Sequence, residues 1–158
     1  MIEKSDHPNM TKPVQSQSSR PAQQQANGFE SVRLAHQSEV VEDYVELIAE
    51  LIQQNGEARP VDIANRLGVA QPTVSKNLRR LVNEGLATHQ PYRSVFLTEE
   101  GKILAEACAK RHRIVASFLK AVGVPEDVAE HDAEGIEHHV SEETLAAFSK
   151  FMADGAKG

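Results

Sequence analysis

The sequence contains no tryptophan, two tyrosines, five phenylalanines and a single cysteine, Cys108. One thiol excludes an internal disulfide framework and any metal site built from thiolates alone. No apolar run approaches the ~18 residues that a membrane-spanning helix needs. The N-terminus lacks the apolar stretch of a signal peptide. These absences lead us to expect a soluble cytoplasmic protein. What is present suffices for a core: 158 residues at 40% apolar content fit one domain or two small ones.

The net charge of −6 hides an arrangement. Residues 29–56 sum to −5, and residues 57–97 carry six basic and three acidic side chains. Residues 126–143 hold eight acids and no Lys or Arg. A basic middle between two acidic blocks implies two different ligands, an anion and a cation.

Residues 1–28 are rich in Gln, Ser and Pro and show almost no apolar periodicity, so we read them as a disordered tail. From Phe29 to Gln54 the pattern is helical, with Val40, Val41, Tyr44, Leu47, Ile48, Leu51 and Ile52 at three- and four-residue steps. Further helices are expected over Val61–Leu67 and Pro72–Glu84. Two short strands follow, Leu86–Gln90 and Ser94–Thr98, with Pro91-Tyr92-Arg93 as the hairpin tip. Thr98 can cap a helix running to about Val122. Pro125 opens another that reaches about Val140, and Ser141 caps the last, through Phe151. The expected fold is mainly α. A winged helix–turn–helix over 29–98 precedes an all-helical unit over 99–158.

The basic block, PVDIANRLGVAQPTVSKNLRR, reads as a DNA reader. Ala64 is small where two helices must cross, Gly68 permits the tight turn, and Val69 and Val74 plug the crossing. The second helix then exposes Gln71, Thr73, Ser75, Lys76, Arg79 and Arg80. Gln71 and Thr73 lie at its N-terminal end, where such helices meet base edges. Ser75 and Lys76 suit bases or phosphates, and Arg79 and Arg80 mainly phosphate. Arg93 at the wing tip is a candidate backbone contact.

The acidic blocks read as a metal site. Asp43 and Glu46 share one face of the first helix. Glu134-Gly-Ile-Glu137-His138 places three ligand types at i, i+3 and i+4, and His112 belongs to the helix between. Four converging carboxylates would repel one another without cations, and two divalent ions would balance them to zero. Hard oxygen donors mixed with imidazole suit Mn(II) or Fe(II). His131 and His139 are expected to stay outside the ligand set, and Cys108 to be a packing thiol.

The DNA-reading block, preceded by EDYVELI and followed by RHRIV and AEGIEHHVS, resembles the manganese-responsive (MntR-type) branch of the diphtheria-toxin-repressor family over roughly residues 30–152. That resemblance implies a homodimer that binds divalent metal between its DNA-binding and dimerisation domains and then grips a palindromic operator. It implies metal ligands at Asp43, Glu46, His112, Glu134, Glu137 and His138. Iron-sensing relatives carry Met where this chain has Asp43 and Cys where it has Glu134. The resemblance therefore implies Mn(II), two ions per chain, over iron. No room is expected for the SH3-like third domain of the iron-type relatives.

Two competitors remain. A di-metal carboxylate enzyme in a helical bundle needs Glu-x-x-His pairs; no histidine here has a Glu three residues before it. A metal-free winged-helix regulator answering to a small molecule or partner keeps the DNA block but leaves the carboxylate cluster unexplained. The expected function is a metal-dependent repressor, not an enzyme.

Overall fold

The computed structural model describes residues 21–90 and 93–155. The elements run α1 (Ala22–Asn55), α2 (Pro60–Leu67), α3 (Gln71–Asn83), β1 (Ala87–His89), β2 (Val95–Leu97), α4 (Glu99–Ala121), α5 (Glu126–Ile136) and α6 (Glu142–Gly155).

Helix α1 begins at Ala22, seven residues before the expected Phe29, so residues 22–28 are helical and not part of a disordered tail. Ala and Gln are good helix formers, and an existing helix extends cheaply. These first turns are exposed, as are Phe29, Val32 and Leu34. Residues 1–20 of the expected tail lie outside the described residues. Farther along, Val41, Tyr44, Val45, Ile48 and Leu51 form the buried stripe. Gly56 ends the helix at φ 79°, its N–H donating to the Ile52 carbonyl at 2.8 Å.

Pro60 sits in the first turn of α2, where its missing N–H costs nothing. Gly68 takes φ 65° between α2 and α3. Ala64 and Val74 are buried at the crossing as expected, together with Ile63, Leu78 and Leu81. Val69 does not plug it. Its N–H turns back to the Ala64 carbonyl at 3.1 Å, and the residue is left 37% exposed. Asn77 Nδ2 donates to the Tyr44 hydroxyl at 3.1 Å and ties α3 to α1.

The wing is antiparallel, with Ala87 opposite Leu97, Thr88 opposite Phe96 and His89 opposite Val95. It is shorter than the sequence pattern implied. Ala58 adds an isolated bridge to Val95. The tip residues Pro91 and Tyr92 lie outside the described residues.

Thr98 caps α4 by accepting from the Gly101 N–H at 3.1 Å, while its hydroxyl donates to the Gly85 carbonyl at 2.7 Å. The same turn presses Gly101 against the wing. A Cβ there would stand 2.0 Å from the Leu86 carbonyl oxygen. Gly101→Ala should therefore destabilise the protein by about 1–3 kcal/mol, since backbone on both sides must shift. Chemical denaturation that gives a wild-type midpoint would contradict this.

Helix α4 threads two cores. One joins α1, α2, α3 and the wing through Tyr44, Ile48, Leu51, Ile63, Val74, Leu78, Val95 and Ala105. The other, of Val115, Ala116, Ala133 and Leu145, joins α4, α5 and α6. Phe118 stacks on Phe148 with centroids 3.8 Å apart, and Phe151 meets it edge-on.

Helix α5 stops at Ile136, four residues short of the expected Val140. Glu137 keeps helical dihedrals and its N–H reaches the Ala133 carbonyl, but His139 closes a tighter turn onto Ile136. Gly135 weakens the helix at this point. Glu137 thus caps α5, and His138 lies in the turn beyond it.

Candidate metal centre and nucleic-acid interface

The acidic stretches of α1 and α5 meet over α4. His138 is the link between them: its Nε2 lies 3.1 Å from Asp43 Oδ1 and 3.6 Å from Glu137 Oε1. His112, from α4, brings Nδ1 to 2.7 Å from Glu137 Oε2 and 3.7 Å from Glu134 Oε1. One ligand atom each from His112, Glu134 and Glu137 falls within 4.8 Å of the others. Glu46 forms no hydrogen bond or ion pair with these side chains, but its charge acts on Glu137. It faces Glu134 across a cleft of about 740 Å³ that Asp43 and His131 also line.

Burial differs sharply across the cluster. Glu137 is 1% exposed and the His138 side chain 2%, whereas Glu134 is 70% exposed. An ion could therefore enter from the Glu134 side and meet buried donors behind it. Glu137 is the one buried charged residue among those described.

Electrostatics follow from that burial. Desolvation, then the nearby charge of Glu46, pushes the Glu137 carboxyl up to about 7. Desolvation and the charge of Glu134 also raise Glu46. His138 is pushed up to about 10 by hydrogen bonds to Asp43 and Glu42, against the opposing effect of burial. Burial alone would lower His112, but Glu130, Glu137 and Glu134 together outweigh it and raise its value.

The acids oppose one another's charge: Glu46 acts on Glu137, and Glu134 acts on Glu46. The imidazoles sit among the carboxylates, and Arg111 pairs with Glu42 at the edge of the group. The imidazoles and the guanidinium offset part of that negative charge.

Two participants escaped the sequence reading. Glu42 accepts from His138 Nδ1 at 2.8 Å, and Glu130 accepts from His112 Nε2 at 2.9 Å. Their only sequence signal is helical spacing, with Glu42 four before Glu46 and Glu130 four before Glu134. His139 stays exposed, 3.7 Å from Glu39. Cys108 is buried, and desolvation with the charge of Glu42 pushes its thiol up to about 12, so it is a packing thiol.

Helix α3 turns Val74, Leu78 and Leu81 inward. Gln71, Thr73, Ser75, Lys76 and Arg79 are exposed along its outer side, and Arg93 is exposed on the wing. Arg80 departs from expectation. Its Nε donates to Glu84 at 2.7 Å and its Nη1 to the Gln37 carbonyl at 3.2 Å. The side chain thus bridges Glu84, at the C-terminal end of its own helix, and the Gln37 carbonyl on α1. No helix among the described residues is long and apolar enough to cross a membrane.

Comparison with known proteins agrees with this layout. Residues 36–95 match the family profile described as iron dependent repressor, N-terminal DNA binding domain. Residues 98–156 match iron dependent repressor, metal binding and dimerisation domain. The transcriptional regulator MntR of Escherichia coli O6:H1 is 54% identical over 136 residues, 85% of this chain and 88% of that protein. The HTH-type transcriptional regulator MntR of Geobacillus thermodenitrificans is 40% identical over 64% of this chain and 72% of that protein. Among solved structures, a manganese-dependent transcriptional repressor in complex with manganese superposes with TM-score 0.64 at 30% identity, covering 72% of this chain. The manganese regulator SloR gives TM-score 0.63 at 30% identity, also over 72% of this chain. The present chain spans about half the length of those two structures, 52% and 53%. Two matched domains, and a relative more than half identical across most of both chains, establish that this chain belongs to the iron-dependent (diphtheria-toxin) repressor family, as an MntR-type transcriptional regulator.

Proposed function

We propose that the protein is a cytoplasmic Mn(II)-dependent repressor, a homodimer that grips palindromic operators when metal-loaded and controls genes of manganese uptake or homeostasis. The observation that carries this reading is the junction of α1 with the α4–α5 unit through Asp43, His112, Glu137 and His138. We assign one ion to Asp43, Glu134, Glu137 and His138. Glu46 and His112 would hold a second, sharing the carboxylates between them. The donor set fits such ions: four carboxylates offer four negative charges, and hard oxygen with imidazole suits Mn(II). Divalent ions would balance that charge. Asp43 and Glu134, oxygen donors in place of thioether and thiolate, favour manganese over iron.

Residues 29–98 form the DNA-binding unit in this reading and 99–158 the dimerisation unit. Val122, Ile136 and Phe151 remain exposed on the α4–α6 unit and suit a two-fold interface. Two recognition helices on a two-fold axis meet major grooves ~34 Å apart.

The raised values at His138 and Glu137 predict a pH dependence. A raised imidazole value means that the ion-free protein holds a proton at His138 until pH climbs through about 10. That proton's contribution to stability is complete below the ordinary histidine value and is lost over the same climb. Mn(II) must displace it, and another at Glu137 below about 7. Affinity for Mn(II) should therefore rise steadily with pH above neutrality, and not merely fail in mild acid. Calorimetric titration showing a pH-independent affinity between about 7 and about 9 would contradict this.

The experiment that tests the function is a DNA-binding titration with and without Mn(II), using genomic fragments as bait. Metal-independent retention of every fragment would overturn the reading. Within the same assay, Arg79→Ala should lower the salt slope by about one unit and weaken all sequences alike. Arg80→Ala should act instead through the α1–α3 contact that Arg80 makes with Gln37. An unchanged salt slope for Arg79→Ala would remove Arg79 from the DNA face.

A further inference from the structure

We propose that Glu42 and Glu130, neither of them an ion ligand, decide which ring nitrogen His138 and His112 present to the metal. The inference rests on the ligand assignment above. His138 donates from Nδ1 to Glu42 Oε2 at 2.8 Å, which leaves Nε2 facing Asp43 and Glu137. His112 is arranged the opposite way round. Its Nε2 lies 2.9 Å from Glu130 Oε2, and its Nδ1 faces Glu137 and Glu134. The two imidazoles therefore use different nitrogens toward one cluster. In each case a carboxylate on the far side of the ring accounts for the choice.

Each carboxylate is also held away from the cluster by a cation of its own. Arg111 Nη2 donates to the same Glu42 oxygen that accepts from His138. Lys120 Nζ donates to Glu130 Oε1 at 2.8 Å, leaving Oε2 for His112. The pairing offsets the charge of Glu42 and Glu130 and opposes their swinging in as extra ligands. A neutral imidazole binds metal through one nitrogen, and a hydrogen bond at the other selects the tautomer, orients the ring and raises its basicity. Glu42 lies on α1 and Glu130 on α5, so the rings are fixed by the same two elements that carry the acids.

Loss of such outer partners commonly lowers metal affinity by roughly 10–100-fold. Glu42→Ala should weaken the ion that His138 holds, and Glu130→Ala the ion that His112 holds. The effect should be smaller for Glu130, which is 45% exposed against 13% for Glu42. Glu42→Gln and Glu130→Gln keep an acceptor and should recover much of the loss. A purely structural salt bridge would show no such rescue.

The test is Mn(II) titration of the full chain and of these four variants, alongside His112→Ala and His138→Ala. Nitrogen NMR of the imidazoles, with the diamagnetic probe Cd(II) bound, reports which nitrogen carries the ion. Expected in the wild type is Cd(II) on Nδ1 of His112 and Nε2 of His138, with mixed populations in the two alanine variants. If the histidine variants lose Mn(II) while Glu42→Ala and Glu130→Ala bind it like wild type with unchanged nitrogen signals, this inference is overturned and the ligand assignment stands. If the histidine variants also bind like wild type, the assignment falls and the inference with it. Should either alanine variant fail to fold, Glu42→Leu or Glu130→Leu, which fills the same space without an acceptor, decides. Wild-type nitrogen usage and affinity in that leucine variant, with the alternate nitrogen in the other alanine variant, limits the role to one carboxylate and overturns the paired form.

Discussion

Glu137→Ala should lower Mn(II) affinity by more than about 100-fold, beyond the loss that an outer partner causes. No other side chain in the cluster is placed as this one is. It is 1% exposed and reaches His112 with one oxygen and His138 with the other. Without it, both assigned ions lose a ligand, and the two imidazoles lose the acid between them. The fold should survive. A buried carboxyl whose value is pushed up to about 7 is a desolvated group, so its removal also relieves a cost. Glu137→Gln, which keeps the shape but not the charge, should be nearly as defective in binding. Circular dichroism will show whether each variant is folded. A folded Glu137→Ala protein with wild-type Mn(II) affinity would refute the ligand assignment at its centre.

Operator DNA and Mn(II) should each raise affinity for the other by one common factor, of roughly 5–150-fold, or ~1–3 kcal/mol. The reason lies in where the acids sit. Asp43 and Glu46 belong to α1, whose next turns pack against the core of the DNA-reading helices. Glu134, Glu137 and His138 belong to α5 and the turn after it. The structure joins the two parts through hydrogen-bonded pairs such as His138 with Asp43. Ions would replace them with stronger ties. That would narrow the range of separations between the two recognition helices of a dimer, and less ordering would remain to be done on meeting DNA. Mn(II) affinity measured with and without operator checks this directly. Equal affinities would mean that two real sites do not communicate.

Much of this was legible without coordinates because the signals are local. Helix boundaries near Gly56, Gly68 and Thr98 follow from glycine's freedom at positive φ and from a side-chain cap, each acting over a few residues. The same holds for the buried stripes of α1 and α3, where periodicity alone points Ile48 and Leu78 inward. The six ligand candidates were readable from their spacing and from a family resemblance. Charge blocks separated the DNA side from the metal side.

Other features depended on residues far apart in the chain. Glu42 meets His138 across 96 positions, and nothing in EDYVELI distinguishes it from a solvated acid. The contact of Arg80 with the Gln37 carbonyl, 43 positions away, has no signal in the sequence either. Apolar and acidic spacing also overstated α5, whose end is set by Gly135 and by the tighter turn that His139 closes onto Ile136. The charge state of the cluster was likewise hidden, since it depends on which acid faces which imidazole and on how much water is excluded. Sequence by itself determined the order of the elements, the inward stripes of α1 and α3 and the kinds of side chain available, because propensity and periodicity act within a turn or two. Tertiary packing alone decided which carboxylate faces which nitrogen, because hydrogen bonding and desolvation depend on distances that only the assembled helices set.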